Sequence, residues 1–319
     1  MGFKIVIFIL WLPFLLRAEN LYVRPDNSSH GRGDGSDWSN AWSGLAAIQW
    51  GEGNGLVGAG DTLFIAGGTY LTNLTPAASG LGSAPEQRIF IRRATQQVHG
   101  TSQGWEEKLD TVVFMQGYFD IREQAYLTID GVTEYGFYTA SAQPNGIYID
   151  NCQYITLQYI RVDGSVNQDS YIGMFIRNGS QNILVRHCWF SNTPNDNMRF
   201  LGISNCIIEY CRMGPRIDPC DTCYTWHADM GEIRNTSDII YRYNIHHWEG
   251  DGLFFFTEDA NWHIYGNIWY NGGKAMRTHS SNNAAGPIYV YNNTFFNLYA
   301  AVSFGSNATG DFKNNIIYN

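Results

Sequence analysis

Short alternating runs of apolar and polar residues recur through the second half of the chain. Each run is usually closed by Asn or Cys and followed by another apolar pair or triplet. The runs are Ile155-Thr-Leu-Gln-Tyr-Ile160, Ile183-Leu-Val-Arg-His-Cys188, Cys206-Ile-Ile-Glu-Tyr-Cys211, Ile239-Ile-Tyr-Arg-Tyr-Asn244, Trp262-His-Ile-Tyr-Gly-Asn267, Ile288-Tyr-Val-Tyr-Asn-Asn293 and Phe312-Lys-Asn-Asn315. Taking Val132, Ile160, Cys188, Cys211, Asn244, Asn267, Asn293 and Asn315 as equivalent gives spacings of 28, 28, 23, 33, 23, 26 and 22. Repeats of this length, made of short strands with turn residues between, build solenoids, since each repeat buries its apolar face only against its neighbours. No amphipathic helical stretch separates the runs. The pattern predicts an all-β chain folded as a right-handed parallel β-helix.

A second strand precedes each run. These strands read Asn145-Gly-Ile-Tyr-Ile, Ile172-Gly-Met-Phe-Ile, Asp196-Asn-Met-Arg-Phe, Asp229-Met-Gly-Glu-Ile, Asp251-Gly-Leu-Phe-Phe, Lys274-Ala-Met-Arg-Thr and Ala300-Ala-Val-Ser-Phe. Side chains alternate sides along a strand, so the third and fifth residues are expected in the core and the fourth outside; the first, at the strand entry, is usually expected outside as well. The outer columns then gather Asp196, Asp229, Asp251 and Lys274 at the first position. Arg199, Glu232, Phe254 and Arg277 follow at the fourth. His227 and His279 lie two residues outside the same strands. Stacked carboxylates about 5 Å apart repel one another, which shifts their pKa values or recruits a cation. Taken singly, an Asp at a strand entry also serves as a turn acceptor, and Asp251-Gly252 is an ordinary turn pair.

The net charge of −9, with 44% hydrophobic and only 15% charged residues, argues against nucleic acid as a partner, which calls for a basic stripe. An anionic ligand would need a local basic cluster or a bound cation. Residues 1–18 read as a signal peptide: Lys4, then the apolar Ile5 to Leu16, then Ala18. That apolar run is too short for a membrane-spanning helix, so the mature chain is expected to be secreted, with no stable membrane insertion. Cys188 and Cys211 share a repeat position and are expected one rung apart, as a buried thiol ladder or a disulfide. Cys220-Asp-Thr-Cys223 followed by His227 reads as a loop disulfide, with a zinc site as the alternative.

Residues 19–70 differ from the repeats and are read as an N-terminal cap and first coil. Residues 71–124 are read as irregular, with strand-like Arg88-Ile-Phe-Ile-Arg92 and Val112-Val-Phe114 and a polar insertion between them able to form one wall of a cleft, and residues 125–319 as regular rungs. An open solenoid end exposes unpaired strand edges, and a short helix bearing Leu45 and Ile48 is the expected cover. At the other end the chain stops on a repeat strand with no cap, which reads as a truncation or an interface. The series Gly60-Asp-Thr-Leu-Phe-Ile65 and Gly67-Gly-Thr-Tyr70 resembles the opening coil of secreted parallel β-helix proteins that act on polysaccharides.

Three readings of the outer wall stay open. The acidic residues on successive rungs, followed by Lys274, resemble the calcium-dependent pectate lyases. That resemblance implies Ca2+ on Asp196, Asp229 and Asp251, and Lys274 or Arg277 as the base for β-elimination of an acidic polysaccharide. Among the residues themselves, Asp229 and Asp251 are also catalytic candidates as a pair of carboxylates for hydrolysis, with His227 as a further acid or base. Arg199, Glu232, Phe254, His279, Trp226 and Trp248 are the expected substrate contacts. In the third reading the chain is a non-catalytic glycan-binding or adhesin β-helix, with Trp226, Trp248, Trp262 and Trp269 stacking on sugars.

Overall fold

The computed structural model describes residues 18–25, 29–166, 171–215, 231–247, 254–278 and 285–319, with strand backbone alone at 254–257 and 285. The chain winds as a right-handed parallel β-helix with three strand-bearing faces. The ladders among the described residues are parallel and follow one another in coil order, except that Trp42–Ser43 pairs on the outer side of Asn20–Arg24. The first face holds Phe119–Arg122, Asn145–Asp150, Ile172–Arg177, Met198–Leu201, Gly231–Arg234 and Phe254–Thr257. The second runs from Asn20–Arg24 and Thr62–Ile65 through Ser204–Glu209 and Ser237–Arg242 to Ala308–Lys313. The third includes Phe137–Thr139, Ile160–Asp163, Trp189–Ser191, Arg212–Met213 and Ile245–His247. Ile268–Thr278 and Thr294–Ser303 continue round the corner from the third face to the first.

Alternation fills the interior. On the second face Ile129, Leu157, Val185, Ile208, Tyr241, Ile264 and Val290 stack in register, all fully buried. The corners demand left-handed backbone, which Asn adopts at low cost. Asn151, Asn178, Asn182, Asn205 and Asn261 all sit at φ between 53° and 57°.

The Asn that closes each sequence run has a second task. The Asn244 Oδ1 accepts from the Cys211 N–H at 2.8 Å, Asn267 from Asn244 at 2.8 Å, Asn293 from Asn267 at 3.0 Å and Asn315 from Asn293 at 2.9 Å. Their amides donate to the carbonyls of Ile208, Tyr241, Ile264 and Val290. Each buried corner N–H is thereby satisfied by the coil beyond it. Cys188 and Cys211 continue this column as buried free thiols, with Cys152 and Cys206 also free and buried. The ladder expectation holds for them, whereas Cys220 and Cys223 lie outside the described residues.

Two expectations about the path need correcting. Val132 is not in the marker column, because Ile160 registers with Phe137, which makes that coil 23 residues and not 28. Residues 131–136 leave the rung in a tight turn, held by the Val132 N–H on Asp130 Oδ1 at 2.8 Å and the Gly136 N–H on the Thr133 carbonyl at 2.9 Å. Nor is 71–124 mainly an insertion. Ile89–Arg93, Val113–Met115 and Phe119–Arg122 take regular places in the ladders. The polar stretch between them packs Ala94, Val98, Trp105 and Leu109 over Tyr22, Trp38 and Phe64 at the N-terminal end, away from the first face. The short helix at the opening coil is the single 3-10 turn Leu45–Ala47, and Leu45 and Ile48 join the main core.

Candidate functional site on the outer wall of the first face

The register of the first face produces one outer column: Asp120, Tyr148, Phe175, Arg199, Glu232, Phe255, Arg277 and Ser303. Two residues further along each strand lies a second column of Arg122, Asp150, Arg177, Leu201, Arg234 and Thr257. Arg199, Glu232 and Arg277 therefore share one wall, as the alternation predicted. Phe254 does not. It registers with Gly231 and Met276, and Phe255 stands beside Glu232 and Arg277. Counting from Asp251 set that strand one residue too early, and a one-residue slip moves every side chain to the opposite face.

Arg199 is the hub. Its Nη2 lies 2.6 Å from the Asp196 carboxylate and its Nε 2.8 Å from Glu232 on the next coil. Glu232 also pairs with Arg234 on its own strand. Asp196, expected on the open wall as a metal ligand, is instead 1% exposed beneath Arg199. A carboxylate already neutralised and hydrogen-bonded by a guanidinium does not fit the role of a cation ligand. Among the described residues no three His, Cys, Asp or Glu side chains converge as a metal-binding group.

Lys274 and Arg277 sit on one strand, three residues apart. Arg277 lies in the outer column two ladder steps beyond Glu232, roughly 10 Å by strand spacing. Lys274 sits at the corner between the third and first faces, registers with Ala300, and places Nζ 5.9 Å from the Tyr299 ring centroid. Asp229, Asp251, His227, His279, Trp226 and Trp248 lie outside the described residues. Trp262 and Trp269, offered as sugar platforms, are core residues at 0% and 1% exposure.

The sequence reading passed over the N-terminal half of the wall. Arg122 bonds Asp120 at 2.7 Å, and its guanidinium lies 4.7 Å from the Tyr148 ring centroid. The Tyr148 hydroxyl donates to Asp150 at 2.8 Å, and Asn178 donates to the other oxygen of Asp150 at 2.7 Å. Burial, and then the Asp150 carboxylate, raise the Tyr148 pKa, so this phenol stays a proton donor. The same alternation that found Arg199 would have found the second column, had it been read two residues further on.

The wall as a whole carries Arg122, Arg177, Arg199, Arg234, Lys274 and Arg277 against Asp120, Asp150, Asp196 and Glu232. It is a locally cationic strip on a protein of net charge −9. Such a strip can hold successive carboxylates of a linear polyanion, since guanidinium groups pair with carboxylates in a fixed fork geometry.

No family model matches the chain, and no curated protein matches it in sequence. Solved structures do match in fold. The alginate lyase from Paenibacillus sp. str. FPU-7 aligns over 94% of this chain and 97% of its own, with a TM-score of 0.54 and 14% identity. The pectate lyase Pel9A aligns over 94% and 80%, with a TM-score of 0.42 and 14% identity. The GH136 lacto-N-biosidase from Eubacterium ramulus covers 94% and 68%, with a TM-score of 0.47 and 10% identity. At 14% identity the likeness to the alginate lyase is one of architecture, and it agrees with the ladders above: this chain has the right-handed parallel β-helix fold.

Proposed function

We propose that the protein is a secreted carbohydrate-active enzyme that cleaves a uronic-acid-containing polysaccharide by β-elimination on the outer wall of the first face. The observation that carries this reading is Arg277 in the outer column with Lys274 three residues before it on the same strand. Pairing of a uronate carboxylate with a guanidinium stabilises the negative charge that builds when the adjacent carbon loses its proton. Arginine does not give up a proton in proteins, so Arg277 acts as the carboxylate clamp and Lys274 as the base. The C–H electron pair forms the new C=C bond, the glycosidic C–O bond breaks, and the departing oxygen takes up a proton.

The step written here draws on no calcium: of the three ligands that the pectate lyase resemblance implies, Asp196 is ion-paired with Arg199, and Asp229 and Asp251 lie outside the described residues. Hydrolysis is the second reading, favoured by the approach of two carboxylates, Asp196 and Glu232, to one guanidinium from neighbouring coils. Both are occupied by arginines, which leaves neither aimed at a leaving group, and the lyase reading ranks first. Secretion rests on residues 1–18, of which 1–17 lie outside the described residues. No helix among those described is long and apolar enough to cross a membrane.

The experiment is an assay on polymannuronate, polyguluronate and polygalacturonate, with and without a chelator. Ultraviolet absorbance from an unsaturated uronate, unaffected by the chelator, is the expected result. New reducing ends without that absorbance would replace the lyase with a hydrolase. Binding with neither product would leave a glycan-binding β-helix.

A further inference from the structure

A second concave surface lies at the corner between the second and third faces. It is a groove of about 440 Å³, lined by Tyr159, His187, Tyr210 and Tyr243 from the corner and by Trp189 and Arg212 from the third face, with Glu134 and Tyr135 overhanging it. Its volume falls in the range of small-ligand sites. The four corner rings stack coil upon coil, with centroids 5.0, 5.3 and 5.2 Å apart. The stack ends on Gly266, where any Cβ would lie 2.6 Å from the Tyr243 ring.

Two observations separate this groove from an ordinary corner. First, ring-bearing residues on four successive coils hold φ between 53° and 58°, a backbone that bulky side chains seldom adopt, whereas the stacked pair Tyr126 and Tyr154 on another corner spans only two. Asn292 and Asn314 make the same turn on later coils with the residue type that suits it. Stacking repays part of that strain, but it does not explain the excursion of 131–136. That excursion places Tyr135 5.1 Å from Trp189, two coils beyond its own.

Second, the groove offers matched polar groups instead of a single sign of charge. Arg161 lies 4.3 Å from the Trp189 ring centroid and is paired with Asp163 at 3.0 Å. Arg212 covers the same ring at 5.1 Å and faces the Tyr135 hydroxyl, with the exposed Glu134 alongside. Because the ring faces cover one another, the stack presents edges and hydroxyls. Tyr210 and Tyr243 are 49% and 42% exposed, beside Ile245 at 40%. Hydroxyl donors and acceptors, one cation and one carboxylate, and an apolar strip suit a chain rich in hydroxyls and free of charge.

We propose that this groove is a binding site for a neutral, hydroxyl-rich glycan, separate from the cationic wall of the first face. The wall selects carboxylates through arginine and weakens with salt. The groove selects hydroxyls and does not. It would tether the protein to neutral polysaccharide while the first face works on an acidic one, and it stands whether or not that face proves catalytic.

Affinity electrophoresis of the full chain through gels containing laminarin, β-mannan or xylan tests the proposal, run at high salt to silence the arginine wall. Retardation by at least one of these neutral polymers is expected. It should weaken about tenfold in Arg212→Gln and in Tyr210→Ala, a loss of one decade in affinity, and be unchanged in Arg277→Gln. Arg212 is exposed and outside the stack, so its variant carries the test if Tyr210→Ala fails to fold. No retardation by any of the three polymers, or retardation indifferent to Arg212→Gln, would overturn the proposal. Either result is independent of whether a uronate is cleaved.

Discussion

Arg199 holds the buried Asp196 carboxylate at 2.6 Å from within its own strand. With Glu232 on the following coil, the pair stitches two coils together on the wall that carries the candidate chemistry. Removing Arg199 would take from the buried Asp196 the guanidinium that pairs with it. Such a loss costs about 3 kcal/mol, at the lower end for a broken buried pair because Arg199 is itself partly exposed. Urea unfolding of Arg199→Gln should show it. Asp196→Asn in the same chain should recover much of that loss. If the double variant is no more stable than Arg199→Gln alone, the pair is not what holds this wall.

The asparagine column gives a second prediction. Asn267 accepts from the Asn244 N–H and donates to the Tyr241 carbonyl and to Asn293 Oδ1. Asn267→Ala strands the buried Asn244 N–H and the Tyr241 carbonyl, both on the preceding coil, for a loss of about 3 kcal/mol. Asn267→Asp should be no better, because a carboxylate can accept but not donate. Thermal unfolding midpoints of the two variants test this, and a midpoint for Asn267→Asp equal to that of the parent would refute the ladder as described.

His246 supplies a pH signature. It is fully buried, stacks on Trp269 at 4.5 Å and meets the Tyr241 hydroxyl at 2.8 Å. Burial lowers its pKa well below the usual histidine value. The unfolded chain therefore takes up a proton, near pH 6.5, that the folded chain refuses. The stability this site contributes is complete above that pH and declines as pH falls below it, toward the depressed folded value. Unfolding free energies of the parent and His246→Phe, measured between pH 7.5 and 5 (a range set by the histidine reference value of about 6.5), should converge on acidification. A constant difference across that range would show that His246 does not titrate on unfolding.

Much of the fold was legible because the interior of a β-helix is one-dimensional. Ile155, Ile183, Cys206, Ile239, Trp262 and Ile288 recur at the start of their runs, since each covers the one before. Asn244, Asn267, Asn293 and Asn315 mark the corner because a side-chain amide there accepts from one backbone N–H and donates to a carbonyl and to the next amide at once. Where the coil leaves its rung, as at 131–136, spacing alone misplaces the marker, and Val132 was taken for Phe137. On the first face Arg199, Glu232 and Arg277 fell into line for the same reason of alternation. Phe254 was misplaced by one residue, since Phe254, Phe255 and Phe256 offer no polar contrast to fix the register. The burial of Asp196 was legible in strict alternation, which puts it on the inward side with Met198 and Phe200, whereas its pairing with Arg199 was not, because alternation gives a side and not a partner.

The claim that matters most is that Lys274, at the edge of the arginine column, takes the proton from the uronate carbon. The direct measurement is the rate of unsaturated-uronate formation by the parent, Lys274→Ala and Arg277→Gln on a polyuronate that the parent cleaves. The account predicts that Lys274→Ala lowers kcat at least a hundredfold, the scale of a lost general base, with KM little changed. Arg277→Gln should raise KM as well as lower kcat. Lys274→Ala turning over at the parental rate would contradict it.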